Sequence, residues 1–494
     1  MSENLSGLRR MCYPEAVAVF GASPNPEKWG FGILHNLIQG KFPGKIYPIN
    51  QKREEILGVK CYSSLASVPG PVDLVVIVVP PEQLGIAVED CIKKRPAGVV
   101  VITAGFGEVD EDGKRKELEM GRRFQDAGIV GLGPNCQGMM CAHSNLFAQY
   151  VWLFPTPGKI SILSQSGNVG VSILGRGAWH GIGFSKFFSY GNEAITPISD
   201  LLEYLGEDPD SGVIMVYVEG IKDGGKFFRV LSNVCLKKPV VILKGGVTQA
   251  GAKAVSSHSG AMAGSMEIFE SACEQAGAIL VSDLDELFYA SVTFAGQPLP
   301  RSKKIGIITW GGGWGVLAAD ECARLGLELP RVPEDLVKSL GEFLAYRWSR
   351  NNPIDLAASG GQTALIKVLE LVARSPVFDG IIHIGIGLSA FARLVVEGSF
   401  YFGRDDQVKL RELFIKGARK IDEILAQKML ELSQELGKPI LATSDTASTP
   451  SEENIAWQVL KEKNRLIYPT PNHSARAMSY LVRHQEFLAR KNKG

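Results

Sequence analysis

At 494 residues the chain is long enough for roughly three domains of about 150 residues each. Its 45% hydrophobic and 21% charged residues match a globular protein rather than a disordered or fibrous one. A formal net charge of +1, with no long basic run, excludes the electrostatic footprint of a nucleic-acid or acidic-membrane binder. The eight cysteines form no Cys-x-x-Cys pair, so neither a zinc framework nor a redox motif is indicated and no metal site is expected. The N-terminus lacks a signal-peptide pattern, and the apolar stretch 381–396 is too short to span a bilayer and contains His383 and Arg393. These features point to a cytoplasmic location.

Short apolar runs alternate with amphipathic stretches along the chain, the pattern of buried parallel strands joined by helices. The first block, 1–145, carries predicted strands at 16–20, 45–49, 74–79, 98–102 and 129–132. The turn after the first of these contains Gly21, Ser23 and Pro24. Small residues between strand and helix expose backbone N–H groups that can cradle a phosphate, although the G-x-G-x-x-G of dinucleotide enzymes is missing and a plain structural turn reads equally well. The later strand ends hold Lys52, Val79, Pro80, Thr103, Ala104, Asn135 and Cys136. Ligands of open parallel sheets bind beyond the carboxyl ends of the strands, so this edge is a candidate site for a nucleotide-like ligand. The stretch 145–157, with Phe147, Tyr150, Trp152 and Phe154, reads as a connector.

The second block, 158–296, has predicted strands at 160–163, 184–188, 213–218 and 240–243. After the first comes Gln165-Ser166-Gly167, where Ser166 either caps the following helix or, with the free N–H groups of its first turn, holds an anion. Glu219 follows the strand 213–218. It is either a surface acid or the carboxylate that fixes a histidine tautomer. His258 sits among small residues in Ser256-Ser257-His258-Ser259-Gly260, and imidazole is a competent nucleophile near neutral pH; a structural histidine is the competing reading. The breaker at 296–300 leads to a third block, 302–494, with predicted strands at 304–309, 380–384, 439–443 and 466–468 and a long helix over 405–436. Its opening turn, Trp310-Gly311-Gly312-Gly313-Trp314, faces a second phosphate or packs tightly.

Taken together the strings Val17–Ser23, Ile46–Asn50, Thr103–Phe106, Gly133–Gly138, Ser164–Gly167, Tyr217–Ile221, Lys238–Lys244 and Ser257–Gly260 resemble the NDP-forming acyl-CoA synthetases, the superfamily of succinyl-CoA synthetase and ADP-forming acetyl-CoA synthetase. The third block resembles the family's second ligase domain through Gly315–Asp320 and Asn352–Leu356. The resemblance implies an α/β fold: a Rossmann-like CoA-binding domain (1–145) followed by two flavodoxin-like parallel-sheet domains (158–296 and 302–494). It implies that acyl-CoA and phosphate exchange to acyl phosphate and CoA, that His258 takes the phosphoryl group, oriented by Glu219, and that a nucleotide then accepts it. Gln165, Ser166 and Gly167 would hold phosphate, and the strand ends of the first domain would hold CoA, with Cys136 near its thiol. No ATP-grasp domain follows the third block, so an ATP-grasp β-type subunit carrying ADP/ATP with Mg2+ is the expected partner in a hetero-oligomer acting on a small carboxylic acid. Family members often carry Asn and Pro where Trp310 and Trp314 stand, a departure that points to a bulkier or unusual acid. The alternative is a CoA-binding regulatory protein of the same fold without turnover.

Overall fold

The computed structural model describes the backbone of residues 3–259, 265–357, 361–402, 404 and 407–492; the side chains of 3, 256–259, 361–363 and 391 fall outside the description. The chain divides into two compact units, 1–178 with 182–287 and 179–181 with 288–494.

The first unit holds two sheets. In the first, β1 (Ala16–Phe20) and β2 (Lys45–Ile49) are followed by a small antiparallel hairpin, β3 (Glu55–Ile56) and β4 (Val59–Lys60), and then by β5 (Leu74–Ile77), β6 (Gly98–Val101) and β7 (Val130–Leu132). The spatial order is β2-β1-β5-β6-β7, all parallel. β5 and β6 are buried at every position, which is why they read as unbroken Leu/Val/Ile runs: helices cover both faces of the sheet. Val75, Ile77, Val99 and Val101 pack with Leu84, Val88 and Phe124 on one face, each fully buried aliphatic contributing about 1.5–3 kcal/mol.

The second sheet comprises β8 (Gly138–Cys141), β9 (Leu146–Gln149), β10 (Pro157–Ser164), β11 (Phe184–Ser189), β12 (Val213–Val218), β13 (Val240–Lys244) and β14 (Ile279–Val281). β10 to β14 are parallel, whereas β8 and β9 form an antiparallel hairpin along the β11 edge. Residues expected in a connector therefore contribute a strand. Asn145 takes a left-handed turn (φ 52°), and Leu146, Phe147 and Ala148 are buried in β9.

The second unit is built on β15 (Ile305–Thr309), β16 (Ile354–Asp355), β17 (Gly380–Ile384), β18 (Ile440–Thr443) and β19 (Ile467–Tyr468), all parallel. The long helix predicted before the last two strands runs over Val408–Leu436.

Numbered within each sheet, the parallel strands share the order 2-1-3-4-5. That doubly wound order reverses direction between its first and third strands, leaving a crevice beyond their carboxyl ends. The three crevices fall after β1 and β5, β10 and β12, and β15 and β17. They coincide with the Gly21 turn, with Gln165–Gly167 beside Glu219, and with the Trp310 turn. Among the described residues no helix is long and apolar enough to cross a membrane.

Candidate active site

The crevice of the second sheet opens into a cavity of about 160 Å³ lined by Ala104, Asn135, Cys136, Gln137, Gln165, Ser166, Gly167, Asn192 and Glu219, with Trp29 and Tyr150 as an aromatic wall. β10 ends at Ser164, and the helix Gly167–His180 starts three residues later. Ser164 donates to the Ser166 carbonyl (2.6 Å), and Ser166 Oγ accepts from the Val169 N–H (3.4 Å), so Ser166 caps the helix. Gln165 Oε1 accepts the N–H groups of Glu219 (2.7 Å) and Gly220 (3.2 Å). One side chain thereby ties the end of β10 to the end of β12 across the crevice and places Glu219, only 6% exposed, beside the helix N-terminus. Tyr217 Oη donates to Glu219 Oε1 (3.3 Å), and Lys244 Nζ donates to the Glu219 carbonyl (2.5 Å); burial pushes that ammonium group below its ordinary pKa.

The strand ends of the first sheet form the opposite wall. Asn135 sits in a left-handed conformation (φ 56°), and its Nδ2 donates to Asn192 Oδ1 (3.2 Å). Asn192 Nδ2 donates to both Glu108 Oε2 and Glu117 Oε2 (2.7 Å each), clamping the tip of the second sheet to the first. Burial pushes the Glu117 and Glu193 carboxyls up. Cys136 points its Sγ at the Val101 carbonyl (3.3 Å), and burial raises its thiol to about 12.

The structure thus gathers Ala104, Asn135, Cys136, Gln165, Ser166, Gly167 and Glu219 around one cavity. Gly21, Ser23, Pro24, Lys52, Val79, Pro80 and Thr103 do not line it; they follow the strands of the first sheet at its own carboxyl edge. There Gly21 has φ +98°, and a Cβ on it would meet the Val78 carbonyl at 2.3 Å; Gly30 lies so near that its Cβ would meet the Gly21 carbonyl at 2.1 Å. Asn50 Nδ2 donates to the Ala22 carbonyl (2.8 Å), Asn50 Oδ1 accepts from the Lys52 N–H (2.8 Å), and Ser23 Oγ accepts from the Asn25 N–H (3.1 Å). Thr103 Oγ1 donates to the Val79 carbonyl (2.8 Å), latching neighbouring strand ends. Such a turn of close backbone and exposed N–H groups suits the phosphates of a nucleotide-like ligand. His258 falls in the helix Gln249–Ser259, and its side chain lies outside the described residues.

Sequence reasoning passed over Gln137, Asn192, Trp29 and Tyr150. Gln137 stands next to residues singled out in Gly133–Gly138, and Asn192 ends Tyr190-Gly191-Asn192, a strand end of the same glycine–asparagine kind. Trp29 and Tyr150 stack at 4.9 Å between ring centroids although 121 positions apart in sequence, a pairing no local pattern reveals.

In the second unit the third crevice holds a cavity of about 440 Å³ between Trp310, Trp314, Leu365, Ile386 and Leu425. Asp422, from the long helix, accepts the N–H groups of Gly387 (3.0 Å), Leu388 (3.1 Å) and Ser389 (2.6 Å) and so fixes the loop after β17; burial pushes its carboxyl up.

Comparison with known proteins agrees with this layout. Residues 15–142 match the family model of a CoA binding domain, and 157–294 that of the succinyl-CoA ligase like flavodoxin domain. The chain is 40% identical over 373 residues to the alpha subunit of ADP-forming acetate–CoA ligase II of Pyrococcus furiosus, covering 75% of this chain and 80% of that one. It is 42% identical over 350 residues to the ADP-forming acetate–CoA ligase of Methanocaldococcus jannaschii, covering 71% of this chain but 49% of that relative. A solved structure of the dinucleotide forming acetyl-coenzyme A synthetase 1 of Ca. Korarchaeum cryptofilum, in complex with phosphate and ADP, superimposes with a TM-score of 0.82 at 31% identity, over 98% of each chain. By this similarity in sequence and fold, the chain belongs to the family of ADP-forming acyl-CoA ligases.

Proposed function

We propose that this chain is the α-type subunit of an NDP-forming acyl-CoA synthetase, interconverting acyl-CoA, phosphate and NDP with a carboxylic acid, CoA and NTP. The observation that carries the reading is the cavity of the second crevice. It joins a capped helix N-terminus, a buried carboxylate and the strand ends of a CoA-binding sheet within one unit. The N-terminus of the helix Gly167–His180 offers unpaired N–H groups and the positive end of its dipole to phosphate. Ser166 and Gln165 hold that turn in place. CoA lies along the carboxyl edge of the first sheet, its phosphates toward Gly21–Pro24 and Lys52 and its thiol end toward Asn135 and Cys136. His258 accepts the phosphoryl group, and Glu219 receives the other ring N–H so that the attacking nitrogen keeps its lone pair. The nucleotide, with Mg2+, belongs to a separate ATP-grasp subunit, as the subunit designation of the Pyrococcus relative supports.

The test is incubation of the purified protein with γ-labelled ATP and Mg2+, with and without an ATP-grasp subunit. Acid-labile label is expected on the wild type only with that subunit, and none on His258→Ala. A wild type that binds CoA yet takes up no label with any ATP-grasp subunit would show a CoA-binding protein without turnover.

A further inference from the structure

We propose that Gln137 is a catalytic residue of the acyl-transfer step, its Nε2 amide holding the carbonyl oxygen of the acyl group as the carbonyl carbon passes between sulfur and phosphate. This rests on the acyl-phosphate reading above.

Gln137 is 2% exposed and lines the cavity. Its Nε2 is buried with no hydrogen-bond partner among the described residues. A buried amide donor left without a partner destabilises the fold, and such a group at a reaction site is explained when a substrate atom completes it. Two other side-chain amides of the cavity are committed: Asn135 Nδ2 to Asn192, and Asn192 Nδ2 to Glu108 and Glu117. Gln137 itself is anchored, because its backbone N–H donates to Ser189 Oγ (3.0 Å). The helix N-terminus lies directly against it: a Cβ at Gly167 would sit 3.0 Å from Gln137 Cβ and 3.3 Å from Oε1. Glycine at 167 therefore lets the first-turn N–H groups and the Gln137 amide converge on one small volume.

Among the described residues, no lysine, arginine or histidine lines this cavity. Negative charge developing on an oxygen beside Gln137 is met by the fixed dipoles of its amide and of the helix N-terminus, the arrangement that stabilises tetrahedral intermediates without reorganisation during reaction. In the step itself, a phosphate oxygen forms the new bond to the thioester carbonyl carbon, and the carbonyl π pair moves onto its oxygen, facing Gln137 Nε2. Collapse restores the carbonyl and breaks the C–S bond. The departing sulfur takes up the proton released by hydrogen phosphate, so thioester and phosphate give acyl phosphate and free CoA thiol.

The experiment compares wild type, Gln137→Glu and Gln137→Leu, each with its ATP-grasp subunit, in two half-reactions. Arsenolysis of acetyl-CoA, read as thiol release, requires acyl transfer without the histidine; labelling of His258 from ATP and Mg2+ requires the histidine without acyl transfer. Removing one such donor lowers kcat for arsenolysis by about 100- to 1,000-fold, the usual loss for an oxyanion-type contact, with KM for acetyl-CoA and the rate of His258 labelling little changed. Gln137→Glu keeps the shape of the side chain, so it decides the matter if Gln137→Leu fails to fold. Arsenolysis by Gln137→Glu at the wild-type kcat, a rise in KM alone, or an equal fall in both half-reactions each overturns the proposal. A wild type that releases no thiol overturns the acyl-phosphate reading and this proposal with it, whereas an active wild type matched by Gln137→Glu overturns the proposal alone.

Discussion

Cys136 and Lys186 show how far a residue's type predicts its behaviour once it is buried. Sequence placed Cys136 at the end of a strand of a CoA-binding sheet, but not the direction of its thiol, which points into the Val101 carbonyl. With the thiol raised to about 12 by burial, almost none of it is thiolate near neutral pH, and thiolate is the reactive form. Native protein treated with iodoacetamide at pH 7.5 should therefore carry no label at Cys136, as read by peptide mass spectrometry, whereas denatured protein is labelled. Rapid native labelling would mean an open site. Lysine is ordinarily a surface residue, yet the Lys186 side chain is fully buried and donates to Asp208 Oδ2 (2.7 Å), itself 4% exposed. Asp208 Oδ2 also accepts from Ser211 Oγ (2.5 Å). Lys186→Met strands that carboxylate, and breaking a buried pair in this way costs about 3–5 kcal/mol. A urea-denaturation midpoint equal to wild type would refute this.

At the scale of elements, the interior parallel strands were legible because both their faces are buried. Residues 16–20, 45–49, 213–218 and 380–384 were predicted with the bounds observed. β8 and β9 were not, since Met139–Cys141 and Leu146–Ala148 lie between loops and pair antiparallel at an edge, where the sequence carries no long apolar run. The helix Trp29–Gln39 packs its start onto the Gly21 turn through Gly30, so Gly30→Ala drives a methyl into the Gly21 carbonyl. Overpacking of this kind costs about 1–3 kcal/mol. It should also weaken CoA binding measured by calorimetry; unchanged affinity in a folded variant would move CoA away from that turn. In β17, His383 is fully buried with both ring nitrogens unpartnered among the described residues, and burial lowers its pKa to about 4. The unfolded chain binds a proton below about 6.5 that the folded chain refuses until about 4. Stability from this residue is therefore full above pH 6.5 and falls with pH toward 4, by about 3 kcal/mol across the window. His383→Leu should flatten the change in denaturation midpoint between pH 7 and pH 5; an unaltered slope would show that the residue does not titrate there.

For the whole molecule, three sheets repeat one strand order, and each places a glycine-bearing turn at its reversal point. That repetition was visible as glycine-rich turns after apolar runs; what could not be read was which turns share a cavity, since this depends on Gln165 bridging two strand ends and Asn192 clamping two sheets. The result is a division of labour. Every residue lining the proposed acyl-transfer cavity belongs to the first unit, while the chain matches 80% of a relative named as an alpha subunit and only 49% of one that carries no subunit designation. Acyl transfer and nucleotide chemistry should therefore separate experimentally. The chain alone, given acetyl-CoA and arsenate, should release CoA thiol if, as proposed, its own residues hold both CoA and the oxyanion. ATP formation from acetyl-CoA, phosphate, ADP and Mg2+ should appear only when an ATP-grasp subunit is added, and should saturate as that subunit reaches equimolar amounts. Thiol release that also waits for the second subunit would mean that the acyl site is completed between two polypeptides. ATP formation by the chain alone would place a nucleotide site within it and remove the need for a partner.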